Sequence, residues 1–152
     1  MTKPIVLKPD QGRAIELGSF AMSVKVSAED TDGAVSLLQA DEPPGFGPPM
    51  HIHHDCAEAF YVLEGEYRIF IGTDEHACPA GSFIFIPAGV IHGFRVGNVP
   101  SRKLNLYAPA AMVGYFDELA AAIDRGAADE ELAGIAERHG MAIIGPVPEG
   151  YV

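Results

Sequence analysis

Three of the chain's six histidines lie within four positions of one another, in the segment GFGPPMHIHHDCAEAFYVLEGE at residues 45–66. His51 and His53 are two residues apart, and residues at i and i+2 of a β-strand point to the same face. Both imidazoles can therefore converge on one point, whereas His54 points the other way. Glu58 follows the interruption HDCA, which lets it return on a neighbouring strand, and His92 follows the turn-forming segment PAGVI.

Three neutral imidazoles and one carboxylate form a nitrogen and oxygen ligand set that suits a divalent transition metal. Four protein ligands leave two positions of an octahedral shell for a substrate and for water or dioxygen. We therefore predict that His51, His53, Glu58 and His92 hold one divalent ion, with Fe, Mn, Ni, Co, Cu and Zn all open. Glu58 is also a candidate base that takes the hydroxyl proton of a bound substrate.

The remaining histidines and the two cysteines are assigned no catalytic role. His76 is expected at a hairpin tip and His139 at a helix end, both in solvent. Cys56 lies between the candidate ligands, where coordination of a soft metal and simple burial are both open, and Cys78 has no partner motif. A cytoplasmic location with both thiols free is expected, because no secretory leader opens the chain.

Short β-strands separated by turn signals are predicted from about residue 15 to residue 108. The segments AFYVL, YRIFI, SFIFI and KLNLYA are rich in aromatic and β-branched residues. Gly (17) and Pro (12) are abundant, which favours an all-β barrel or sandwich. Phe60 and Phe94 share the strand parity of Glu58 and His92, so they are candidates for the wall of a substrate pocket as well as for plain core packing.

The pattern becomes helical after Pro109. Apolar residues recur at helical spacing over residues 111–125, and a second helix is predicted over 130–139 with Asp129 as its N-cap. Residues 141–152 are predicted to be an extended tail. We expect a single domain over residues 1–152, with a barrel at about 15–108, a helical extension at 110–140 and the tail.

The composition argues against several classes of partner. The chain has 152 residues, of which 48% are hydrophobic, and its formal net charge is −11. It has no basic stripe that could release counterions from a nucleic acid, and its charge does not suit an anionic membrane surface. No apolar run is long enough to span a bilayer. A small-molecule substrate is therefore the expected partner.

The spacing of the histidines, glycines and prolines resembles that of a cupin. The first cupin motif is Gly, five residues, His-x-His, three or four residues, Glu, six residues and Gly, which is met here at Gly45, His51, His53, Glu58 and Gly65. The second motif is Gly, five residues, Pro-x-Gly, two residues, His, three residues and Asn. It is met at Gly81, Pro87, Gly89 and His92, while Val96 stands at the Asn position.

This resemblance implies a jelly-roll β-barrel with the metal inside, held by the His and Glu positions of the two motifs. A looser similarity, over residues 48–72 and the segment YFDELA, is to bacterial single-domain cupins that resemble quercetin 2,3-dioxygenase. It implies a metal-dependent dioxygenase acting on a small aromatic or enol substrate, and the family resemblance implies a homodimer. Two alternatives stay open: a metal-dependent isomerase, decarboxylase or hydrolase of a small oxygenated compound, and a non-catalytic small-molecule-binding module.

Overall fold

The computed structural model describes residues 2–148. Within them, eleven strands and three helices follow one another in the order β1 (Arg13–Glu16), β2 (Ala21–Val26), α1 (Ala28–Thr31), β3 (Ser36–Glu42), β4 (Met50–His53), β5 (Ala57–Glu64), β6 (Glu66–Ile71), β7 (Asp74–Pro79), β8 (Phe83–Ile86), β9 (His92–Val96), β10 (Ser101–Ala108), α2 (Val113–Asp124), α3 (Asp129–Arg138) and β11 (Met141–Gly145).

The strands form two antiparallel sheets. The six-stranded sheet has the order β1-β2-β3-β10-β5-β8, and the five-stranded sheet has the order β11-β4-β9-β6-β7. β10 lies between β3 and β5, and β9 lies between β4 and β6, so hydrogen-bonded neighbours are often distant in sequence, as in a jelly roll. The predicted all-β jelly-roll fold with C-terminal helices is confirmed.

Alternation of burial along β5 shows which face of the larger sheet lies inside. Glu58, Phe60 and Val62 are buried, whereas Tyr61 and Leu63 are exposed. This is the period of two that a strand with one inner face requires. A hydrophobic cluster built from β5, β6, β8 and β9 fills one part of the interior, and a second cluster joins β1, β2 and β3 to the C-terminal helices.

The two C-terminal helices pack against the barrel. Ala122 of α2 and both Ile135 and Ala136 of α3 are buried in the cluster that includes β1. The prediction of Asp129 as N-cap is wrong by one residue: Ala128 takes the N-cap position, and Asp129 begins α3. The Asp129 carboxylate still lies in the first turn, where the helix dipole favours negative charge. No helix within residues 2–148 has the length and apolar character needed to cross a membrane.

The predicted extended tail includes a strand of the barrel. β11 pairs antiparallel with β4, and Met141 lies opposite His53 while Ile143 lies opposite His51. β11 therefore forms an edge strand of the smaller sheet, directly beside two candidate ligands. Residues 149–152 of the predicted tail lie outside the described residues.

Candidate metal centre

The candidate ligands His51, His53, Glu58 and His92 meet inside the barrel. Their ligand atoms all lie within 4.8 Å of one another. His51 and His53 come from β4, His92 comes from the neighbouring β9, and Glu58 comes from β5 in the other sheet. All four residues are buried, with exposed fractions of 1–9%. The cluster therefore depends on the closure of the two sheets into a barrel.

The glycine after His92 allows β9 to approach β4. A Cβ atom on Gly93 would lie 2.8 Å from Sδ of Met50 and 2.9 Å from Cγ1 of Val147, which is closer than carbon atoms pack. His92 is itself the partner of His51 in the pairing of β9 with β4. A side chain at Gly93 would thus have to displace the side chains of Met50 and Val147, which pack against β9 beside two candidate ligands.

Backbone carbonyl groups orient two of the imidazoles. Nδ1 of His51 lies 2.7 Å from the carbonyl oxygen of Pro49, and Nδ1 of His92 lies 2.9 Å from that of Val90. A carbonyl oxygen only accepts, so Nδ1 is the nitrogen that carries the proton in the neutral form of each ring. Each Nε2 then keeps a lone pair that can bind a metal, which is the usual arrangement of metal-binding histidines.

Nε2 of His53 is the one buried side-chain nitrogen or oxygen within residues 2–148 that has no hydrogen-bond partner. It lies 3.4 Å from Oε1 of Glu58, whereas Nε2 of His92 lies 2.7 Å from the same oxygen. An unpaired buried polar atom costs roughly 1–3 kcal/mol. A cation at the centre of the cluster would satisfy this nitrogen. The four side chains therefore fit a divalent transition metal and could hold one ion.

Burial and neighbouring charges shift the pKa values within the cluster. Burial, followed by the adjacent His92, lowers the pKa of His51 to about 4. Burial also acts to lower the pKa of His92, but the hydrogen bond and charge of Glu58 outweigh it, so this pKa is raised. Burial acts to raise the pKa of Glu58, but the His53 imidazole at 3.4 Å and the hydrogen bond from His92 hold this pKa well below its ordinary value. His51 is thus unprotonated near neutral pH.

We expect metal affinity to fall about tenfold per pH unit below the raised pKa of His92, because binding must then displace one proton. Below about pH 4, where His51 is protonated as well, the fall should steepen to about a hundredfold per unit. Competition titrations against a chelator of known proton affinity, from mildly alkaline pH downward, would measure both slopes. An affinity independent of pH would contradict the role of these histidines as ligands.

A cavity of about 540 Å³ extends from the cluster. Its wall includes His51, His53 and Glu58, but most of its other lining residues are apolar. Phe60 and Phe94 both line it, with their ring centroids 6.0 Å apart. Cavities of roughly 300–1,000 Å³ with apolar walls and a few polar groups are typical of small-molecule sites.

Comparison with protein families adds an independent observation. Residues 39–106 match the family model described as "Cupin domain", a segment that contains all four members of the cluster. Residues 39–106 therefore form a cupin domain. Quercetin 2,3-dioxygenase of Bacillus subtilis is 24% identical to this cupin over 116 residues, which are 76% of this chain and 34% of that enzyme. The chain spans 34–56% of the length of the curated relatives that it matches.

Solved cupin-like structures superpose on most of the chain. KdgF from Halomonas sp. has a TM-score of 0.64 at 12% identity, over 70% of this chain and 94% of that one. A protein described as a predicted oxalate decarboxylase from Thermotoga maritima has a TM-score of 0.63 at 21% identity, over 69% of this chain and 99% of that one. At such identities, these structures show the fold of this cupin alone.

The helices supply a wall of the cavity that the sequence pattern does not predict. Lining residues from the helical extension and β11 include Met112, Tyr115, Phe116, Leu119, Ile123, Leu132, Met141 and Ile143. The helical spacing of most of these residues is visible in the sequence. Only the packing of the helices against the barrel shows that this apolar surface faces the cavity of the cupin.

β10 brings polar residues to the same cavity, and the sequence analysis assigns them no role. Lys103, Asn105 and Tyr107 are buried and line the cavity together with Glu42. Nζ of Lys103 lies 3.1 Å from Oε1 of Glu42 and donates a hydrogen bond to Oδ1 of Asn105 at 2.9 Å. The alternation in KLNLYA signals a two-faced strand, but here the polar face points inward, opposite to the usual pattern.

The other histidines lie away from the cluster. His54 is exposed, as the strand parity predicts. His76 is exposed too, but the prediction that it lies at a hairpin tip is wrong, because it lies within β7 opposite Ile69. The prediction that His139 lies in solvent is also inexact: it is partly buried, with Nε2 3.0 Å from Oε1 of Glu118.

Both cysteines are buried and free, as expected for unpaired thiols. Burial, followed by the charge of Glu58, raises the pKa of the Cys56 thiol to about 11. Burial also raises the pKa of the Cys78 thiol. A thiolate is the form that binds metals, so these shifts disfavour either cysteine as a ligand.

Proposed function

We propose that this cupin is a metal-dependent dioxygenase acting on a small planar aromatic or enol compound. One arrangement carries the proposal: a buried cluster of three imidazoles and one carboxylate borders a mainly apolar cavity of about 540 Å³, with His51, His53 and Glu58 in the cavity wall. The similarity to quercetin 2,3-dioxygenase supports a flavonol-like substrate class. We propose His51, His53, Glu58 and His92 as the ligands of one divalent transition metal.

A bound metal ion would supply Lewis acidity toward a substrate oxygen and a centre at which dioxygen reacts. The side chains of the protein would supply the base and the substrate-binding surface. Glu58 is the carboxylate of the cluster, and as a base it would accept the substrate's hydroxyl proton. Phe60 and Phe94 both line the cavity, so a flat substrate ring can pack against an aromatic part of its wall.

Oxygen uptake tests this proposal directly. The protein would be loaded separately with each of the six candidate metals and given flavonols, catechols and β-diketones. With at least one combination of metal and substrate, we expect consumption of dioxygen and incorporation of both of its oxygen atoms into the product. Turnover that continues without oxygen would instead support the isomerase, decarboxylase or hydrolase class. Substrate binding without any turnover would support a non-catalytic binding module.

We also propose that two copies of the chain form a homodimer through the outer face of the six-stranded sheet. Tyr61 and Leu63 on β5 and Phe83 and Phe85 on β8 are 38–64% exposed, and Tyr61 lies directly opposite Phe83. Adjacent exposed apolar side chains of this size are typical of an interaction surface. Because each copy carries a formal charge of −11, this uncharged patch on β5 and β8 is where two copies can approach most easily.

Light scattering should give twice the chain mass of 16.1 kDa for the wild type. Phe85→Glu should shift the protein toward a monomer, because burial of the new carboxylate in an interface is costly. Val99→Glu is the matched control, since Val99 is also an exposed apolar residue but lies in the loop before β10. A monomeric wild type, or equal dissociation in both variants, would contradict the proposed interface.

A further inference from the structure

A row of buried polar side chains leads along β10 to Glu58. Lys103, Asn105 and Tyr107 are alternate residues on the inner face of this strand, with exposed fractions of 0%, 4% and 1%. β10 pairs with β5 in a register that places Tyr107 opposite Glu58. Successive inner residues of a strand are separated by about 6.6 Å, which hydrogen bonds between such side chains can bridge.

The row begins at a buried ammonium group. Nζ of Lys103 has Oε1 of Glu42 at 3.1 Å and Oδ1 of Asn105 at 2.9 Å, and it lies 4.2 Å from the ring centroid of Phe94. A buried ion pair loses much of its attraction to desolvation, and apolar side chains often stabilise a core equally well. The presence of this pair in the wall of a cavity therefore indicates a role other than stability.

The ammonium group sets the direction of the hydrogen bonds that follow. It can only donate, so it binds the amide oxygen of Asn105 and turns the amide NH₂ group away from itself. Tyr107 lies two residues from Asn105 on the same face of β10 and directly opposite Glu58 of β5. Burial, followed by the charge of Glu58 and a hydrogen bond to it, raises the pKa of the Tyr107 hydroxyl, whereas a hydrogen bond from Asn105 acts to lower this pKa. Because the NH₂ group only donates, the Tyr107 oxygen accepts from Asn105, and its own proton is left for Glu58. Every bond in the row is thus donated in one direction, from Lys103 toward Glu58.

We propose that Lys103, Asn105 and Tyr107 are positioning residues, which form a one-way row of donors that fixes the orientation of the Glu58 carboxylate toward the three imidazoles. The carboxylate already contacts Nε2 of His92 at 2.7 Å, and the Tyr107 hydroxyl adds a second contact that fixes the plane of the carboxylate. Hydrogen-bond partners of metal ligands typically change metal affinity or activity 10- to 100-fold. This role rests on the proposed metal site, but it does not depend on the reaction that the site performs.

Tyr107→Phe removes only the hydroxyl group that contacts Glu58. We expect it to weaken metal binding about 10- to 100-fold, measured by competition with a chromophoric chelator. Tyr67→Phe is the matched control, because Tyr67 is equally buried and also donates to a buried carboxylate, at 2.8 Å, but that carboxylate is Glu42. The control should leave metal affinity unchanged, and equal losses in the two variants would overturn the proposal.

A double-mutant cycle shows whether Asn105 acts through Tyr107. Asn105→Leu should weaken metal binding in the wild-type background and have no further effect in the Tyr107→Phe background, because the row is already broken there. Additive effects would overturn the proposed row. A wild type that binds no divalent metal would overturn both the site and this role, whereas metal binding without oxygen uptake would overturn the dioxygenase alone.

Discussion

Glu58→Gln is expected to lower the turnover of the metal-loaded protein by about 10²-fold or more, which is a typical contribution of a positioned general base. Gln keeps an oxygen of nearly the same shape in the ligand position, but it removes the negative charge and the basic group. Metal occupancy should therefore fall much less than turnover. Oxygen uptake at saturating substrate, divided by the bound metal found by elemental analysis, separates the two effects.

The contacts of Glu58 explain why this residue can serve two purposes. Its Oε1 lies 2.7 Å from Nε2 of His92 and 3.4 Å from Nε2 of His53, so its carboxylate faces the centre of the cluster. The nearby His53 imidazole and the hydrogen bond from His92 hold the pKa of Glu58 low. An imidazole nitrogen that binds a metal carries no proton to donate, so a bound metal would replace these contacts with its own charge, which also keeps Glu58 in the ionised form that can accept a proton.

Glu42→Gln provides the matched control for this prediction. Glu42 is also a buried carboxylate in the wall of the cavity, but it is paired with Lys103 rather than with the imidazoles. Its replacement should lower thermal stability, because it leaves a buried ammonium group without its counter-ion, and it should change turnover per bound metal much less. Activity that simply tracks occupancy in Glu58→Gln would show that Glu58 is a ligand and not a base.

The ligand cluster is predictable from sequence because, on a β-strand, the spacing between two residues determines whether their side chains point to the same face of the sheet. His51 and His53 share a face by the period of two, and Glu58 shares its parity with Phe60, which also lines the cavity. These relations are local to one strand or to one short connection. The meeting of β4, β5 and β9 is not local, and its prediction depends on the resemblance to a known family.

The polar row on β10 is not predictable in the same way. The alternation of Lys103, Leu104 and Asn105 shows that the strand has two faces, but the usual rule places the charged face in solvent. The larger sheet reverses this rule because its inner face borders a cavity and its outer face carries exposed apolar side chains. The pairing of β10 with β3 and β5 determines which face of β10 lies inside the barrel. This pairing joins residues that are far apart in the chain, so the sequence of β10 alone does not predict it.

His92→Ala is expected to weaken metal binding by at least about 100-fold, because even the hydrogen-bond partners of metal ligands typically account for 10- to 100-fold. His54→Ala should leave the affinity unchanged, since His54 is exposed and does not belong to the cluster. Isothermal titration with the same metal would compare the two variants. Equal losses would show that strand parity has selected the wrong histidine.

His53→Ala distinguishes the loss of a ligand from the loss of folding. His92→Ala breaks a buried 2.7 Å contact with Glu58, and removal of one partner of a buried ion pair commonly costs about 3–5 kcal/mol. Nε2 of His53 has no hydrogen bond to lose in the metal-free protein. His53→Ala should therefore abolish most of the metal affinity while lowering the metal-free melting temperature less than His92→Ala does. If His53→Ala instead kept the wild-type affinity, His53 would be a packing residue of the barrel and the ligand set would be incomplete.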